Sequence, residues 1–488
     1  MWDLLILTAM DEGQKLAYEL ELAALKGPNF PECAVIMDEP KGVKIGSGGS
    51  TFLCLQYLRK KYGDFTTKKV LIIHSGGYSQ RFPIASPLGK AFLTFPDGRL
   101  MVEKKLESYR KVEEAIENGV VISSSDTLEY FNPKVNLEID NSSNLVLFGH
   151  RSSIEVGEQH GVYVLDKNGQ LERVLQKPTR EEMRETKAVV EGNRVITDSF
   201  YIFRGEFFRT NLLDWADSFS ESTEKAEVCC YGDFLRPLGN HPDAEAKAKY
   251  IREAMSTNLD LARWRLRFFS LLVCTFGKVK VETVVLPGDD TFFHFGTAKE
   301  FSEHISKGSA FQKCISVGNS TIVHSKVSDK HEIPSSSILE YSKIEGDLEI
   351  GKNCFVSSIK TTSDVCPKIP PGTTLITIPL INSCFVTVAF ETGKNLKEAA
   401  NEWFGHNFKK PTMLWNAKLF KAEKTSPASL MTTLGSMQDG NLCTQTSEGL
   451  MSMSDALTAK DVRKMVDWRQ KLRRLSLKSD ERASNEGN

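Results

Sequence analysis

The sequence lacks an excess of either charge, which limits the partners it could attract. Its 488 residues hold 62 Lys and Arg against 63 Asp and Glu, a formal net charge of -1. A balanced surface has no overall field for nucleic acid or an anionic membrane. No run approaches the roughly 18 apolar residues of a membrane span. We therefore expect neither a nucleic-acid nor a membrane partner.

Two further absences concern cysteine and the amino terminus. The ten cysteines include no C-x-x-C pair, so the usual zinc-ligand spacing is missing. The opening segment MWDLLILTAM lacks the basic n-region of a signal peptide and predicts a buried strand. Together these features predict a cytoplasmic protein with reduced thiols.

A Walker-type phosphate loop is also absent. The Gly-Lys pairs at 89–90, 351–352 and 393–394 lack both the following Ser or Thr and the preceding glycine at the required distance. Kinases and ATPases of that type are disfavoured.

What the sequence does have, over residues 1–305, is alternation of strands and helices. A mainly parallel sheet in an α/β domain is expected from this order. A glycine-rich loop is predicted at 45–51, before a helix ending at Gly63. The predicted strands are 3–9, 34–39, 70–77, 120–126, 160–166 and 196–203, and the other predicted helices are 11–25 and 244–272.

The character of the chain changes over residues 306–400. Ile338, Ile344, Ile350 and Val356 follow one another at six-residue intervals among Gly, Ser, Asn and Asp. This period favours a parallel β-helix, in which each face contributes one inward side chain. A few sandwich strands at chance spacing are the alternative.

Residues 401–488 form a third predicted region, with loop or disorder over 424–452 and disorder at the very end. A helix is expected from Ser454 to about 477. It would carry one apolar stripe of Met465, Trp468, Leu472 and Leu475, opposite the basic residues Arg463, Lys464, Lys471 and Arg474.

The segment from Leu71 to Lys90 carries the strongest chemical signal. A buried strand there delivers Gly76 and Gly77 to a sheet edge, where α/β ligands bind and glycine lets backbone N–H groups approach phosphate. Arg81 offers a planar fork to phosphate, and Lys90 offers a point charge. An anion site at this edge is therefore predicted.

This segment resembles the Gly-Gly, Arg and Pro-Lys pattern of sugar-nucleotide pyrophosphorylases, although Gly89 stands in place of the proline. IHSGGYSQR followed by ASPLGK is similar to the fucose-1-phosphate guanylyltransferase family. The stretches KIGSGGST, HGVYVLD, TDSFYIF, YGDFL, HFGTAKEF and ILEYSKI agree with that family across nearly the whole chain. The resemblance implies a Rossmann-like nucleotidyltransferase domain, then a parallel β-helix domain and a C-terminal helix.

The resemblance also implies roles for individual residues. Arg81 and Lys90 would hold the triphosphate, and Asp126 would bind magnesium beside the α-phosphate. Lys177 would hold the sugar phosphate, with Asp198 and Asp233 near the sugar. The implied nucleotide contacts are Gly46, Gly48, Gly49, Ser50, Gly76 and Gly77.

Two positions depart from the superfamily pattern. Thr127 stands where relatives often show a second acid. His294 stands where the superfamily often has an aspartate that is the second metal ligand. Imidazole is a poor magnesium ligand, so either one carboxylate, substrate phosphates and waters hold the metal, or His294 bonds a phosphate instead. A metal ligand and a buried structural histidine are the remaining alternatives for His294. Without the resemblance, Lys177 would be read as an ordinary surface lysine before a proline. Asp126 would be read as an ordinary turn residue.

The implied reaction joins GTP and L-fucose 1-phosphate into GDP-L-fucose, with magnesium and release of pyrophosphate. Another nucleotide and sugar 1-phosphate pair, or a non-catalytic sugar-nucleotide sensor, are the alternatives. The β-helix offers a surface for self-association.

Overall fold

The computed structural model describes residues 1–205, 227–239, 279–327, 331–440 and 449–486, with short pieces at 213–214, 216–217, 248–249, 251–252, 259, 262–263 and 265–267. The chain divides into two compact units. The first comprises Met1–Lys15, Leu25–Gly76 and Lys105–Phe293, and the second comprises Leu16–Ala24, Gly77–Lys104 and His294–Asn488. The domain boundaries expected at residues 305 and 400 stay predictions.

Helices occur in both units of the mixed α/β fold. In chain order they are α1 Glu12–Leu25, α2 Gly46–Tyr62, α3 Met101–Ser108, α4 Arg110–Ala115, α5 Ile154–Gly157, α6 Arg180–Glu185, α7 Gly232–Leu235, α8 Ala298–Ile305, α9 Ala310–Cys314, α10 Ser426–Asp439, α11 Met453–Ala459 and α12 Val462–Glu486. Single turns of 3₁₀ helix lie at Pro83–Ala85, Lys90–Phe92 and Leu414–Asn416.

The strands are mostly short beyond residue 290. In chain order they are β1 Leu4–Ala9, β2 Glu32–Met37, β3 Lys69–His74, β4 Gly119–Ser124, β5 Thr127–Glu129, β6 Leu145–Ser153, β7 Gly161–Leu165, β8 Leu171–Gln176, β9 Arg194–Phe203, β10 Val281–Val285, β11 Phe292–His294, β12 Ile322–Val323, β13 Ile338–Glu340, β14 Glu349–Ile350, β15 Phe355–Ser357, β16 Lys368–Ile369, β17 Thr373–Pro379, β18 Phe385–Glu391, β19 Ala399–Trp403, β20 His406–Met413, β21 Phe420–Lys421 and β22 Leu450–Met451.

The first unit is built on one sheet in the order β10-β6-β9-β4-β3-β1-β2. Strands β2, β1, β3 and β4 pair in parallel, whereas β9 runs antiparallel to both β4 and β6. Strand β10 pairs in parallel with β6, so β9 is the one strand in this order that runs against the others, and the sheet is mainly parallel as expected. Strands β1 and β3 are interior strands whose apolar residues are buried, as expected where both faces of a parallel sheet are covered.

The glycine-rich stretch at 45–51 is not a loop, because α2 already begins at Gly46. Gly46 has φ +71°, and a β-carbon there would lie 2.2 Å from the carbonyl oxygen of Val228. Glycine is thus required by a close backbone approach and not by chain flexibility. The predicted end of this helix at Gly63 is confirmed.

The second unit contains a sheet in the order β12-β13-β15-β17-β18. Its first four strands pair in parallel at offsets of 17, 17 and 19 residues, as in Leu339 opposite Val356. The four residues of the six-residue period, Ile338, Ile344, Ile350 and Val356, are all buried. Strand β18 closes the sheet in antiparallel fashion.

Two predictions for the tail are wrong. Residues 426–439 form α10, whose residues Leu430, Leu434 and Met437 are buried, although loop or disorder was expected. The single helix expected from Ser454 to about 477 is two helices: α11, with its N-cap at Ser452, and α12, which continues to Glu486. The predicted helix at 244–272 lies mostly outside the described residues.

Candidate active site

The carboxyl ends of three parallel strands of the first unit meet at one edge of its sheet. Strand β3 ends at His74 opposite Ser124 of β4, so Gly76 and Asp126 follow at the same edge. The Thr8 hydroxyl, near the end of β1, accepts the Ser75 N–H at 3.1 Å. Ligands of open α/β sheets bind at such an edge.

Asp126 is half-buried above a fully buried charged network. Ser124 donates a hydrogen bond to its carboxylate. Below it, the Lys105 ammonium donates to the Thr127 carbonyl at 2.7 Å and forms an ion pair with Glu129 at 3.3 Å. The Thr127 hydroxyl also donates to Glu129, at 2.9 Å. Thr127 therefore belongs to this internal network.

Asp198 lies at the same edge, on the antiparallel strand β9. The Gly161 N–H donates to its carboxylate at 3.0 Å, and a β-carbon at Gly161 would lie 2.2 Å from that carboxylate. Burial raises the pKa of Asp198 to about 6, although the Gly161 N–H and the Lys177 ammonium oppose the rise. Lys177 is exposed and has φ +47°, an uncommon conformation for a lysine. The Lys177 ammonium therefore acts electrostatically on Asp198, a carboxylate whose pKa is raised.

The start of α2 is occupied by protein contacts. The Gly48 N–H donates to the Val228 carbonyl at 2.7 Å. Ser50 is buried and donates to Asp38 at 2.6 Å. Burial raises the pKa of Asp38 to about 6, against the lowering effect of Ser50. Gly48 and Ser50 therefore hold neighbouring protein groups in this structure, and their nucleotide contacts stay predictions.

Sequence reasoning missed the half-buried His74, whose ring contacts α2. The His74 ring approaches the Thr51 hydroxyl at 3.0 Å and the Cys230 sulfur at 3.4 Å. Burial lowers the pKa of His74 to about 4, so the ring is neutral at pH 7. His74 ends β3 and precedes Gly76 by two residues, and this position is a signal that could have identified it.

Asp233 is fully buried at the start of α7. Its carboxylate accepts the Cys229 N–H at 2.6 Å and forms an ion pair with Arg265 at 3.0 Å. The resemblance left a sugar contact or a structural role open for Asp233, and these contacts favour the structural role.

The second unit contains Gly77, Arg81, Lys90 and His294. Arg81 is exposed, whereas Lys90 is buried and donates to the Gly296 carbonyl at 3.1 Å. Gly89 has φ +79°, and a β-carbon there would meet the Tyr18 hydroxyl at 2.1 Å. The glycine before Lys90 is thus required by a close contact.

The Nδ1 atom of His294 lies 3.0 Å from a carboxylate oxygen of Glu300, within hydrogen-bond distance. Burial alone would raise the Glu300 pKa, but hydrogen bonds from His294 and Thr297 lower it to about 2. Glu300 also completes the capping box of α8 with Thr297. One ring nitrogen of His294 is therefore used within the protein.

A metal ion would find few protein ligands here. Within the described ranges, no group of three or more His, Cys, Asp or Glu side chains is placed to hold one. Magnesium is commonly held by one or two carboxylates together with substrate phosphates and waters. Asp126, a half-buried carboxylate at the ligand-binding edge, fits that kind of site.

A comparison with protein families decides the identification. The family model described as the fucose pyrophosphorylase domain matches residues 63–433. The chain belongs to the fucose pyrophosphorylase family. The matched range includes Gly76, Arg81, Lys90, Asp126, Lys177, Asp198 and His294, whereas the glycines at the start of α2 precede it.

Similar proteins of this family are found in animals and plants. Fucose-1-phosphate guanylyltransferase of Homo sapiens is 28% identical, over 98% of this chain and 91% of the human protein. The Mus musculus protein of the same name is also 28% identical, over 96% of this chain and 92% of its own length. A bifunctional fucokinase/GDP-fucose pyrophosphorylase of Arabidopsis thaliana is 24% identical over 73% of this chain and 36% of its own.

The structure also bears on membrane association and cysteine chemistry. Within the described ranges, none of the helices has both the length and the apolar character needed to cross a bilayer. The eight cysteines described are thiols and not disulfides.

Proposed function

We propose that this chain transfers the guanylyl group of GTP to L-fucose 1-phosphate, forming GDP-L-fucose and pyrophosphate. The observation that carries the proposal is the family match over residues 63–433, supported by named guanylyltransferases aligned over nearly the whole chain.

In the proposed reaction, a phosphate oxygen of fucose 1-phosphate attacks the α-phosphorus of GTP in line. The bond from this phosphorus to the bridging oxygen breaks, and pyrophosphate leaves with the electron pair. The attacking phosphate is already an anion at neutral pH, so the chain need not provide a general base. Positioning and charge neutralisation would then supply the catalysis.

The side chains divide this work between the two substrates. Arg81 and Lys90 neutralise charge on the pyrophosphate, and Gly76 and Gly77 admit the nucleotide phosphates. Lys177 holds the sugar phosphate, and Asp198 accepts hydrogen bonds from sugar hydroxyls. Asp126 would hold magnesium, which when bound neutralises phosphate charge during transfer. The geometry of His294 and Asp233 favours positioning roles for both.

We further propose a Rossmann-like nucleotidyltransferase domain over residues 1–305, a parallel β-helix over 306–400, and a C-terminal segment over 401–488. Parallel pairing at offsets of 17 to 19 residues and the buried six-residue period support the β-helix. We also propose self-association through this region and a cytoplasmic location, the latter supported by the cysteine thiols.

The decisive measurement is pyrophosphate release with magnesium from each of GTP, ATP, UTP and CTP. Each nucleotide is combined with fucose, glucose, mannose or N-acetylglucosamine 1-phosphate. Release confined to GTP with fucose 1-phosphate is expected. Release with another pair would keep the mechanism and overturn the substrates, and nucleotide binding without release would instead support a sugar-nucleotide sensor.

Arg81→Ala tests the assignment of the phosphate-binding arginine. Because Arg81 is exposed, the variant should fold normally, while kcat/KM falls by about 10²- to 10³-fold. Arg463→Ala, at another exposed arginine, is the matched control and should retain activity. A folded Arg81→Ala enzyme with wild-type turnover would remove Arg81 from the mechanism.

A further inference from the structure

Three lysines of the second unit are stacked by its parallel strand pairing. Lys326 pairs with Lys343, and Lys343 pairs with Lys360, each through a parallel backbone bridge. The Lys326 N–H donates to the Ser342 carbonyl at 2.8 Å, and the Lys343 N–H to that of Ile359 at 3.0 Å. Neighbouring parallel strands lie about 4.8 Å apart, so the lysines form a column of like charge.

Helix α12 adds two more lysines opposite this column. Lys464 and Lys471 are two helical turns apart on one face, with Trp468 between them. A cavity of about 240 Å³ is lined by both lysines together with Lys360 and Trp468. A neighbouring cavity of about 510 Å³ is lined by Lys326, Lys343, Lys360, Trp468 and Lys471. The two cavities share three lining residues, and together we call them the lysine cleft.

The lysine cleft has an excess of positive charge. Its five lysines face two carboxylates, Glu345 and Asp467. Lys343 forms an ion pair with Glu345, but among the described residues the other four lysines form none. Among the described residues that line the cleft, the excess is therefore three positive charges.

Aromatic rings and electrostatics show how closely the lysines are held. The Lys360 ammonium lies 3.9 Å from the centre of the Trp468 ring, and that of Lys464 lies 4.4 Å from the Phe385 ring. The pKa of Lys360 is lowered, first by burial and then by Lys464, Lys343 and Lys471. Clustered like charges destabilise the fold, and a bound anion would remove that cost.

We propose that the lysine cleft binds the diphosphate group of a small molecule, as carried by inorganic pyrophosphate, a nucleoside diphosphate or a sugar nucleotide. The excess of three positive charges is enough to neutralise the negative charge of such a diphosphate near neutral pH, and lysines bind phosphate as point charges. The larger cavity has the volume of a typical small-molecule site. Trp468 provides an apolar wall to both cavities, and Phe385 provides one to the smaller cavity. None of these residues is assigned to the guanylyl transfer, so the proposal stands apart from it.

The test compares Lys464→Gln/Lys471→Gln with the control Arg463→Gln/Arg474→Gln. All four residues are exposed on α12, but only the lysines line the cleft. Glutamine keeps the helix propensity, so both double variants should fold. Hydrogen–deuterium exchange of peptides covering residues 355–362 and 453–475 is measured with inorganic pyrophosphate, with GDP and with inorganic phosphate. Titration of the protection gives the dissociation constant.

Pyrophosphate or GDP should protect both peptides in the wild-type chain. The lysine double variant should bind at least about tenfold more weakly, and the arginine control within about twofold. GDP protection at lower concentration than pyrophosphate would identify a nucleotide as the source of the diphosphate, and the reverse order would identify free pyrophosphate.

Several results would overturn the proposal. These are absence of protection in the wild-type chain, equal weakening in both double variants, or equal binding of inorganic phosphate. Protection by vesicles containing phosphatidylserine, without any by soluble phosphates, would show a membrane surface instead. Because exchange reports binding directly, a chain that transfers no guanylyl group still gives a readable result.

Discussion

At the scale of single residues, buried charges surround the proposed metal carboxylate. Lys105 and Glu129 are both fully buried, and burial lowers the pKa of Lys105 while Glu129 opposes that change. Removing one member of such a pair costs about 3–5 kcal/mol because the other charge stays buried. Through Thr127, this pair fixes the start of β5 directly after Asp126.

Asp198 should make stability depend on pH in an unusual direction. Its folded pKa, about 6, lies above its unfolded value, so the native state binds the extra proton. The free energy of unfolding should therefore fall by up to about 3 kcal/mol as pH rises from 4 to 6. Asp198→Asn should remove this fall while retaining an acceptor for Gly161. Urea unfolding at pH 4.5 and 7 measures the difference.

Asp166→Asn is the control, because the pH dependence of stability that Asp166 contributes has the opposite sign. Backbone N–H groups of Gln170 and Asn168 lower the pKa of this exposed aspartate, so its contribution is lost as pH falls. If the free energy of unfolding of wild type and Asp198→Asn changed in parallel with pH, the raised pKa of the buried Asp198 would be contradicted.

At the scale of elements, two helices show that contacts with distant residues decide where a helix begins and how it is held. Helix α2 begins with glycines because Val228 leaves no room for a side chain. Helix α12 is held by Arg469, which donates to the Phe92 carbonyl at 2.8 Å and forms an ion pair with Glu21 at 3.3 Å. In both cases the deciding partner is distant in sequence.

Gly46→Ala should be strongly destabilising. The positive φ disfavours alanine, and the new methyl group would meet the Val228 backbone at 2.2 Å, so we expect a loss of at least about 2 kcal/mol. Gly435→Ala in α10 meets nothing within 4 Å and should stabilise by about 0.5–1 kcal/mol. Denaturant unfolding measures both. Equal effects of the two substitutions would show that the approach of Val228 is not tight.

At the scale of the whole molecule, the chain has almost no net charge, so anion binding depends on local groups. In each unit the chain folding brings such groups together from distant segments. The first unit assembles Gly76, Asp126, Lys177 and Asp198, and the second assembles the lysine cleft.

Metal removal should weaken the stabilisation of the whole molecule by GTP. At 100 times its dissociation constant, a ligand stabilises the native state by about 2.7 kcal/mol. Chelation with EDTA should remove most of the rise in Tm given by GTP and magnesium, and Asp126→Asn should do the same without EDTA. An unchanged Tm after chelation would exclude magnesium at Asp126.

The sequence by itself determined six strands of the first unit, the family and the segment containing Gly76, Arg81 and Lys90. Apolar runs and short motifs are local, so they can be recognised without a structure. The tertiary structure decided the antiparallel direction of β9, the start of α2, the buried pair Lys105 and Glu129, and the lysine cleft. Each of these depends on contacts between residues far apart in sequence, and no local pattern records which distant residue will be the partner.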